Sequence, residues 1–121
     1  MEFSEHKPIY LQIADYLCEK IALGEWQAEE RIPSVREFGA VIGVNPNTIA
    51  RTYDYLQGLE VIYNKRGIGY FVTEHANDIV LTNERESFIT VELPSIFKKM
   101  DKLEITIDQI VNYYRKFSDN R

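Results

Sequence analysis

Residues 31–72, RIPSVREFGAVIGVNPNTIARTYDYLQGLEVIYNKRGIGYFV, carry two helix starts and a hairpin in close succession. Ser34-Val35-Arg36-Glu37 is a capping box: the Ser34 hydroxyl accepts from the Glu37 amide, and the Glu37 carboxylate accepts from the Ser34 amide. Val35, Phe38, Val41 and Ile42 supply the buried stripe of a short helix that ends at Gly43. Asn45-Pro46 starts a second helix, with Asn45 as N-cap and Pro46 in the first turn. Two short helices joined by a turn of about three to four residues containing glycine form a helix-turn-helix.

The second of these helices, about 46–58, has two faces. Ile49, Tyr53 and Leu56 recur at i, i+4, i+7 and are expected in the core. Asn47, Thr48, Arg51 and Tyr55 occupy another face. Short hydrogen-bonding side chains at a helix start, followed by an arginine one turn later, suit presentation to a major groove. Taken alone, the same stripe fits any solvated helix face. Residues 61–72, VIYNKRGIGYFV, place two β-rich runs around Lys65-Arg66-Gly67-Ile68-Gly69 and read as a hairpin with a basic, glycine-containing tip. Such a tip can follow phosphates or enter a minor groove.

Upstream, residues 8–23 read as a helix opened by Pro8 and stopped by Gly24, with Ile9, Ile13, Tyr16, Leu17 and Ile21 on one face. Residues 25–32 are a connector anchored by Trp26 and Ile32. Three helices followed by a β-hairpin make a winged helix.

The chain has 121 residues, of which 45% are hydrophobic and 27% charged, an ordinary globular composition. Its formal net charge of −5 disfavours a nucleic-acid partner at first sight. The distribution reverses that. Residues 1–30 hold two lysines against seven carboxylates, whereas residues 31–67 hold five cations against three carboxylates. A nucleic-acid site needs a local basic face more than a basic total. Cys18 is the single cysteine, which excludes an internal disulfide and a multi-thiolate zinc site. No metal and no cofactor are expected. No apolar run is long enough to cross a bilayer, and the start MEFSEHKPIY lacks a signal-peptide pattern, so a cytoplasmic protein without membrane partners is expected.

PIYLQIADYLCEKIALGEW, RIPSVREFGAVIGVNPNTIARTYDYL and VIYNKRGIGYFV together resemble the DNA-binding domain of GntR-type bacterial transcription regulators, over about residues 8–73. The resemblance implies a winged helix that binds double-stranded operator DNA as a homodimer. It implies that Arg36 reaches DNA from the second helix and that Ser34 caps that helix and approaches a phosphate. Asn45, Asn47, Thr48 and Arg51 match the recognition-helix positions, and Arg66 and Gly67, next to Lys65, match the wing tip. Arginine can bond bidentately to phosphate or guanine, and asparagine to adenine. The sequence departs from the family pattern in three places. Ala28-Glu29-Glu30 replaces a Pro-Gly-like turn, Glu60 stands where a glycine usually precedes the first wing strand, and Gly39 replaces a common alanine.

The tail after the wing is too short for the large effector or aminotransferase-like domains of the superfamily and resembles the YtrA subfamily, whose two helices pair between subunits. The expected division is therefore a DNA-binding domain over 1–75 and a two-helix dimerisation segment over 76–121. Ile89, Leu93, Ile96, Met100 and Leu103 form one helical stripe, interrupted at Pro94. Ile89-Thr90-Val91 locally prefers a strand, but the resemblance favours a kinked helix over 78–102. Thr106-Ile107-Asp108-Gln109 is a second capping box, and Ile107, Ile110, Val111, Tyr114 and Phe117 line the helix it opens. With Phe88 and Phe97 these faces exceed what a helix pair hides, and a symmetric homodimer would bury the surplus. A small-molecule effector is compatible with this tail but is not specified by it.

Enzyme motifs are absent: the sequence has no HExxH, P-loop or GxSxG, and Gly67-Ile68-Gly69 lies in a hairpin rather than at a strand-to-helix turn. The expected function is a sequence-specific transcriptional regulator, a repressor in its simplest form, on a pseudo-palindromic operator. The alternative is a winged helix used for protein–protein contact, which the acidic total charge favours.

Overall fold

Side-chain caps open three of the helices. A computed structural model describes residues 1–4 and 6–121. Helix α1 (Ile9–Ala22) follows Pro8 and stops before Gly24, whose φ of +79° only glycine adopts without strain. Helix α2 (Val35–Ile42) opens on the expected capping box, and Gly43 closes it in the left-handed region at φ +71°. Helix α3 (Pro46–Gly58) opens on Asn45, whose side chain accepts from the Asn47 amide at 2.8 Å. Strands β1 (Ile62–Lys65) and β2 (Gly69–Val72) pair antiparallel, with Tyr63 opposite Phe71 and Lys65 opposite Gly69. The connector adds an isolated bridge, Arg31 to Phe71. This is the winged helix expected from residues 8–72.

Two compact units divide the chain, Met1–Asn83 and Glu84–Arg121. The core of the first unit joins Ile13, Leu17 and Ile21 of α1 to Ile49, Tyr53 and Leu56 of α3 and to Ile62 and Val72 of the wing. Ile32 and Phe38 complete it, and Trp26 packs edge-on against Phe38. Tyr53 sits under the wing with its ring 4.9 Å from that of Tyr70, and its hydroxyl donates to the Pro33 carbonyl at 2.7 Å. That bond ties the approach to α2 onto α3. Thr52 is fully buried and donates to the Tyr10 carbonyl at 2.8 Å, which locks α1 to α3.

Two expected core positions are not core. Val41 is 78% exposed. One residue is about 100° of helical rotation, so Ile42 turns inward with Val35 and Phe38 while Val41 turns out. Ile9, the first residue of α1, is also exposed. Helix α4 (Ala76–Ser87) gives Ala76 and Val80 to the core of the first unit, so the unit extends beyond the wing to Asn83.

Within 84–121, the end of α4 runs into one π-helical turn (Phe88–Glu92), then α5 (Leu93–Leu103) and α6 (Ile107–Asp119). The kink foreseen at Pro94 takes this form. Proline cannot donate to the carbonyl four residues back and its ring crowds that carbonyl. The turn before it widens, and the Leu93 amide donates five residues back, to Phe88. Ile89-Thr90-Val91 is thus helical, not extended, and Thr90 returns its hydroxyl to the Glu86 carbonyl at 2.7 Å. Thr106 and Gln109 close the second capping box and open α6. No residue of α5 or α6 is buried within the single chain.

Candidate nucleic-acid interface

The helix-turn-helix presents two helix starts. At α2, the Ser34 hydroxyl oxygen accepts from the Glu37 amide at 3.1 Å and keeps its own proton to donate. Arg36 follows, fully on the exposed side. At α3, Asn45 spends its side-chain oxygen on the Asn47 amide and keeps its NH2 group free for a further acceptor. Asn47 and Arg51 are exposed and Thr48 is half-buried. Asn47, Thr48 and Arg51 line one shallow groove with Tyr10 of α1.

The wing supplies the third element. Its inner face, Ile62, Tyr70 and Val72, packs on the core. Its outer face stacks Tyr63 on Phe71, with centroids 5.7 Å apart and planes at 24°. The Lys65 ammonium lies 5.0 Å from the Phe71 ring centre, a cation–π contact that leaves its N–H groups outward. Lys65, Arg66 and Gly67 are all exposed at the tip. Gly67 has φ +79°, the left-handed conformation this turn requires.

Two residues join these groups without having been singled out by sequence. Arg31 bridges to Phe71 beside the wing, and a β-carbon on Gly69 would stand 2.9 Å from the Arg31 Nε. The guanidinium therefore lies over the backbone of Gly69, next to the basic tip. Arg31 counted toward the central positive charge, but only the strand pairing places it. Tyr10 is the other. Among the described residues, Arg31, Arg36, Arg51, Lys65 and Arg66 form no ion pair; the pairs present are Lys7–Asp15 and Lys20–Glu25, and His75 lies 3.9 Å from the Glu74 carboxylate. Five cations without carboxylate partners, on helix starts and a wing, form an anion-receptive set.

The model of the bacterial regulatory proteins of the gntR family matches residues 9–72, the span of these elements. The chain belongs to this family. It is 34% identical over 119 residues to the uncharacterized HTH-type transcriptional regulator YhcF of Bacillus subtilis, covering 98% of this chain and 96% of that protein. It is 26% identical over 111 residues to the HTH-type transcriptional repressor YtrA of the same organism, covering 92% of this chain and 85% of the relative. Among solved structures, a candidate GntR-family regulator from Bacteroides thetaiotaomicron superimposes with a TM-score of 0.82 at 45% identity, over 93% of this chain and 98% of that one. The DNA-binding domain of AraR, solved in complex with operator ORR3, superimposes with a TM-score of 0.54 at 25% identity, over 60% of this chain and 88% of that one. This gntR-family chain is a transcriptional regulator and not an enzyme.

The three departures from the family pattern have local structural accounts. Glu29 and Glu60 both hold positive φ, +66° and +63°, so each glutamate occupies a left-handed position that a glycine would fill without strain. Gly39 is fixed by packing, because its α-carbon abuts the turn after α2. No helix among the described residues is long and apolar enough to cross a membrane.

Proposed function

We propose that this regulator binds a pseudo-palindromic operator as a homodimer and represses transcription by occluding a promoter, in the cytoplasm. The observation that carries the reading is the set of unpaired cations on the α2 start, the α3 start and the wing tip. In this reading the N-terminal half of α3 enters a major groove. Asn47, Thr48 and Arg51 face base edges and phosphates, Asn45 offers its free NH2 group, and Ser34 and Arg36 take the backbone. Lys65, Arg66 and Gly67 follow the adjacent backbone or minor groove. AraR, a structural neighbour, has its DNA-binding domain solved in complex with operator ORR3, which supports the assignment.

The dimer would form through residues 84–121. Ile89, Ile96, Phe97, Leu103, Tyr114 and Phe117 are exposed in the single chain, and Leu93, Met100 and Ile110 are only half-buried. That much contiguous apolar surface marks an interface. A two-fold pair would set its α3 helices on half-sites about 34 Å apart.

Fluorescence anisotropy on a labelled duplex from the region upstream of the protein's own gene tests this. Tight binding that weakens steeply with salt is expected. Binding that is absent at low salt would overturn the reading in favour of a protein-contact winged helix.

A further inference from the structure

Arg51 does not stand free in its groove. Its guanidinium carbon lies 4.1 Å from the centre of the Tyr10 ring, at the start of α1. The Tyr10 ring in turn meets Tyr55 edge-on, with centroids 6.1 Å apart and planes at 80°. Arg51 and Tyr55 are neighbours one turn apart on α3, and the ring from α1 packs against both. The backbone beneath is fixed as well, since the buried Thr52 hydroxyl donates to the Tyr10 carbonyl at 2.8 Å.

We propose that Tyr10 is a positioning residue for Arg51, holding the guanidinium flat so that its N–H edge faces the same groove as Asn47 and Thr48. The inference rests on the operator-binding reading above and adds a residue outside the helix-turn-helix and the wing. A stacked guanidinium loses none of its five in-plane donors, because the ring takes only its face. An unrestrained arginine has a long, rotamer-rich side chain that must be ordered on binding. Tyr10 orders it beforehand. The benefit falls on contacts that need direction, the bidentate bonds to a base edge or phosphate. Diffuse attraction to the backbone depends on the charge, which Tyr10 does not change.

The test compares the full chain with Tyr10→Leu, Tyr10→Phe, Arg51→Ala and the double variant Tyr10→Leu/Arg51→Ala. Anisotropy is read on the upstream duplex and on a random-sequence duplex. Tyr10→Leu is expected to weaken upstream-duplex binding on the order of 10-fold. Random-duplex binding should change little, and Tyr10→Phe should restore the affinity because it keeps the ring face. In the Arg51→Ala background, Tyr10→Leu is expected to cost nothing further. An equal loss with and without Arg51 would overturn the proposal, as would wild-type affinity in Tyr10→Leu. NMR of the free chain gives a readout that needs no DNA. The Arg51 δ-protons should be shifted upfield by the Tyr10 ring current and return toward ordinary positions in Tyr10→Leu. Should that variant fail to fold, unshifted Arg51 δ-protons in the wild-type chain overturn the proposal by themselves. Wild-type protein that binds neither duplex in a salt-dependent way would sink the operator reading and this inference with it. If Arg51→Ala weakens binding and Tyr10→Leu does not, only the inference falls.

Discussion

The carbonyl oxygen of Val44 lies 2.7 Å from where a β-carbon on Gly39 would stand. The Val44 amide also donates to the Gly39 carbonyl at 2.9 Å, so the turn folds back onto the last coil of α2. Asn45, the cap of α3, follows at once, and this contact therefore sets where α3 begins. Gly39→Ala gains about 0.5–1 kcal/mol in helix propensity. It loses more, because overpacking against backbone costs about 1–3 kcal/mol. Net destabilisation is expected in urea melts. A variant as stable as wild type would mean the turn can retreat without cost.

Glu60 gives the opposite sign. Its φ is +63°, and its backbone is held by Thr73, whose hydroxyl donates to the Glu60 carbonyl at 2.7 Å. A left-handed non-glycine costs about 1–2 kcal/mol. Glycine there returns about 0.4–1 kcal/mol through the freer unfolded chain. Glu60→Gly should therefore stabilise by about 0.5–1 kcal/mol, read as a raised melting temperature. Glu29→Gly should gain less, because the Glu29 carboxylate accepts the Tyr63 hydroxyl at 2.7 Å. An unchanged or lowered melting temperature in Glu60→Gly would contradict the strain assignment.

These positions show how much the sequence discloses. Capping boxes at Ser34 and Thr106, the Asn45-Pro46 start and the glycine stop at Gly43 are local chemistry, and each appears where the sequence places it. Periodicity found Ile49, Tyr53 and Leu56 because α3 is long enough to average over its turns. In α2, with only eight residues, the same rule misplaced Val41. Gly39 read only as a departure from the family's alanine, since its reason is a contact across the turn. Arg31 and Tyr10 went unnoticed for a similar cause. One is placed by strand pairing and the other by packing between helices distant in sequence, and neither leaves a periodic trace.

Tyr53 makes the first unit sensitive to alkali. Burial first, then the nearby Tyr70 and Glu37, push its hydroxyl pKa well above the usual tyrosine value. The folded state thus holds the proton more tightly than the unfolded chain. The resulting stability is fully present below about pH 10, the ordinary tyrosine value, and is lost as pH rises from there toward the folded pKa. Urea melts across this range should show stability falling above about pH 10. Tyr53→Phe should flatten that fall while costing about 1 kcal/mol at neutral pH, through the unmet Pro33 carbonyl. An equally steep fall in Tyr53→Phe would assign the effect to another group.

The unpaired cations predict distinct DNA phenotypes. Arg36→Ala and Arg51→Ala should each cost about 1–3 kcal/mol of operator binding. Arg36→Ala should leave the melting temperature unchanged, because its side chain is exposed, whereas Arg51→Ala should lower it slightly through the lost Tyr10 contact, worth about 0.5–1 kcal/mol. Arg31→Ala should lower the slope of log affinity against log salt by about 0.9 if the wing-side guanidinium meets one phosphate. Gly69→Ala is expected to destabilise the wing, because Gly69 holds φ +143° and a β-carbon there would also meet the Arg31 guanidinium. A salt slope unchanged in Arg31→Ala would remove Arg31 from the interface.

Leu93→Asp separates folding of the tail from its association. Leu93 lies within the unbroken helical run from α4 through the π turn into α5 and is only half-buried, so one substitution there leaves the backbone hydrogen bonds in place and helicity should persist. The same carboxylate stands on the stripe shared with Ile89, Ile96 and Met100. An unpaired charge there would have to be desolvated in a dimer, which costs several kcal/mol. Sedimentation equilibrium should give twice the chain mass for wild type and the chain mass for Leu93→Asp, with far-ultraviolet circular dichroism unchanged. Operator affinity should fall as well, although every residue of the proposed DNA interface is retained. In the proposed dimer, two linked α3 helices would bind the second half-site at high effective concentration, and a monomer would not. Wild type sedimenting at the chain mass would show that the exposed apolar stripe serves some other contact.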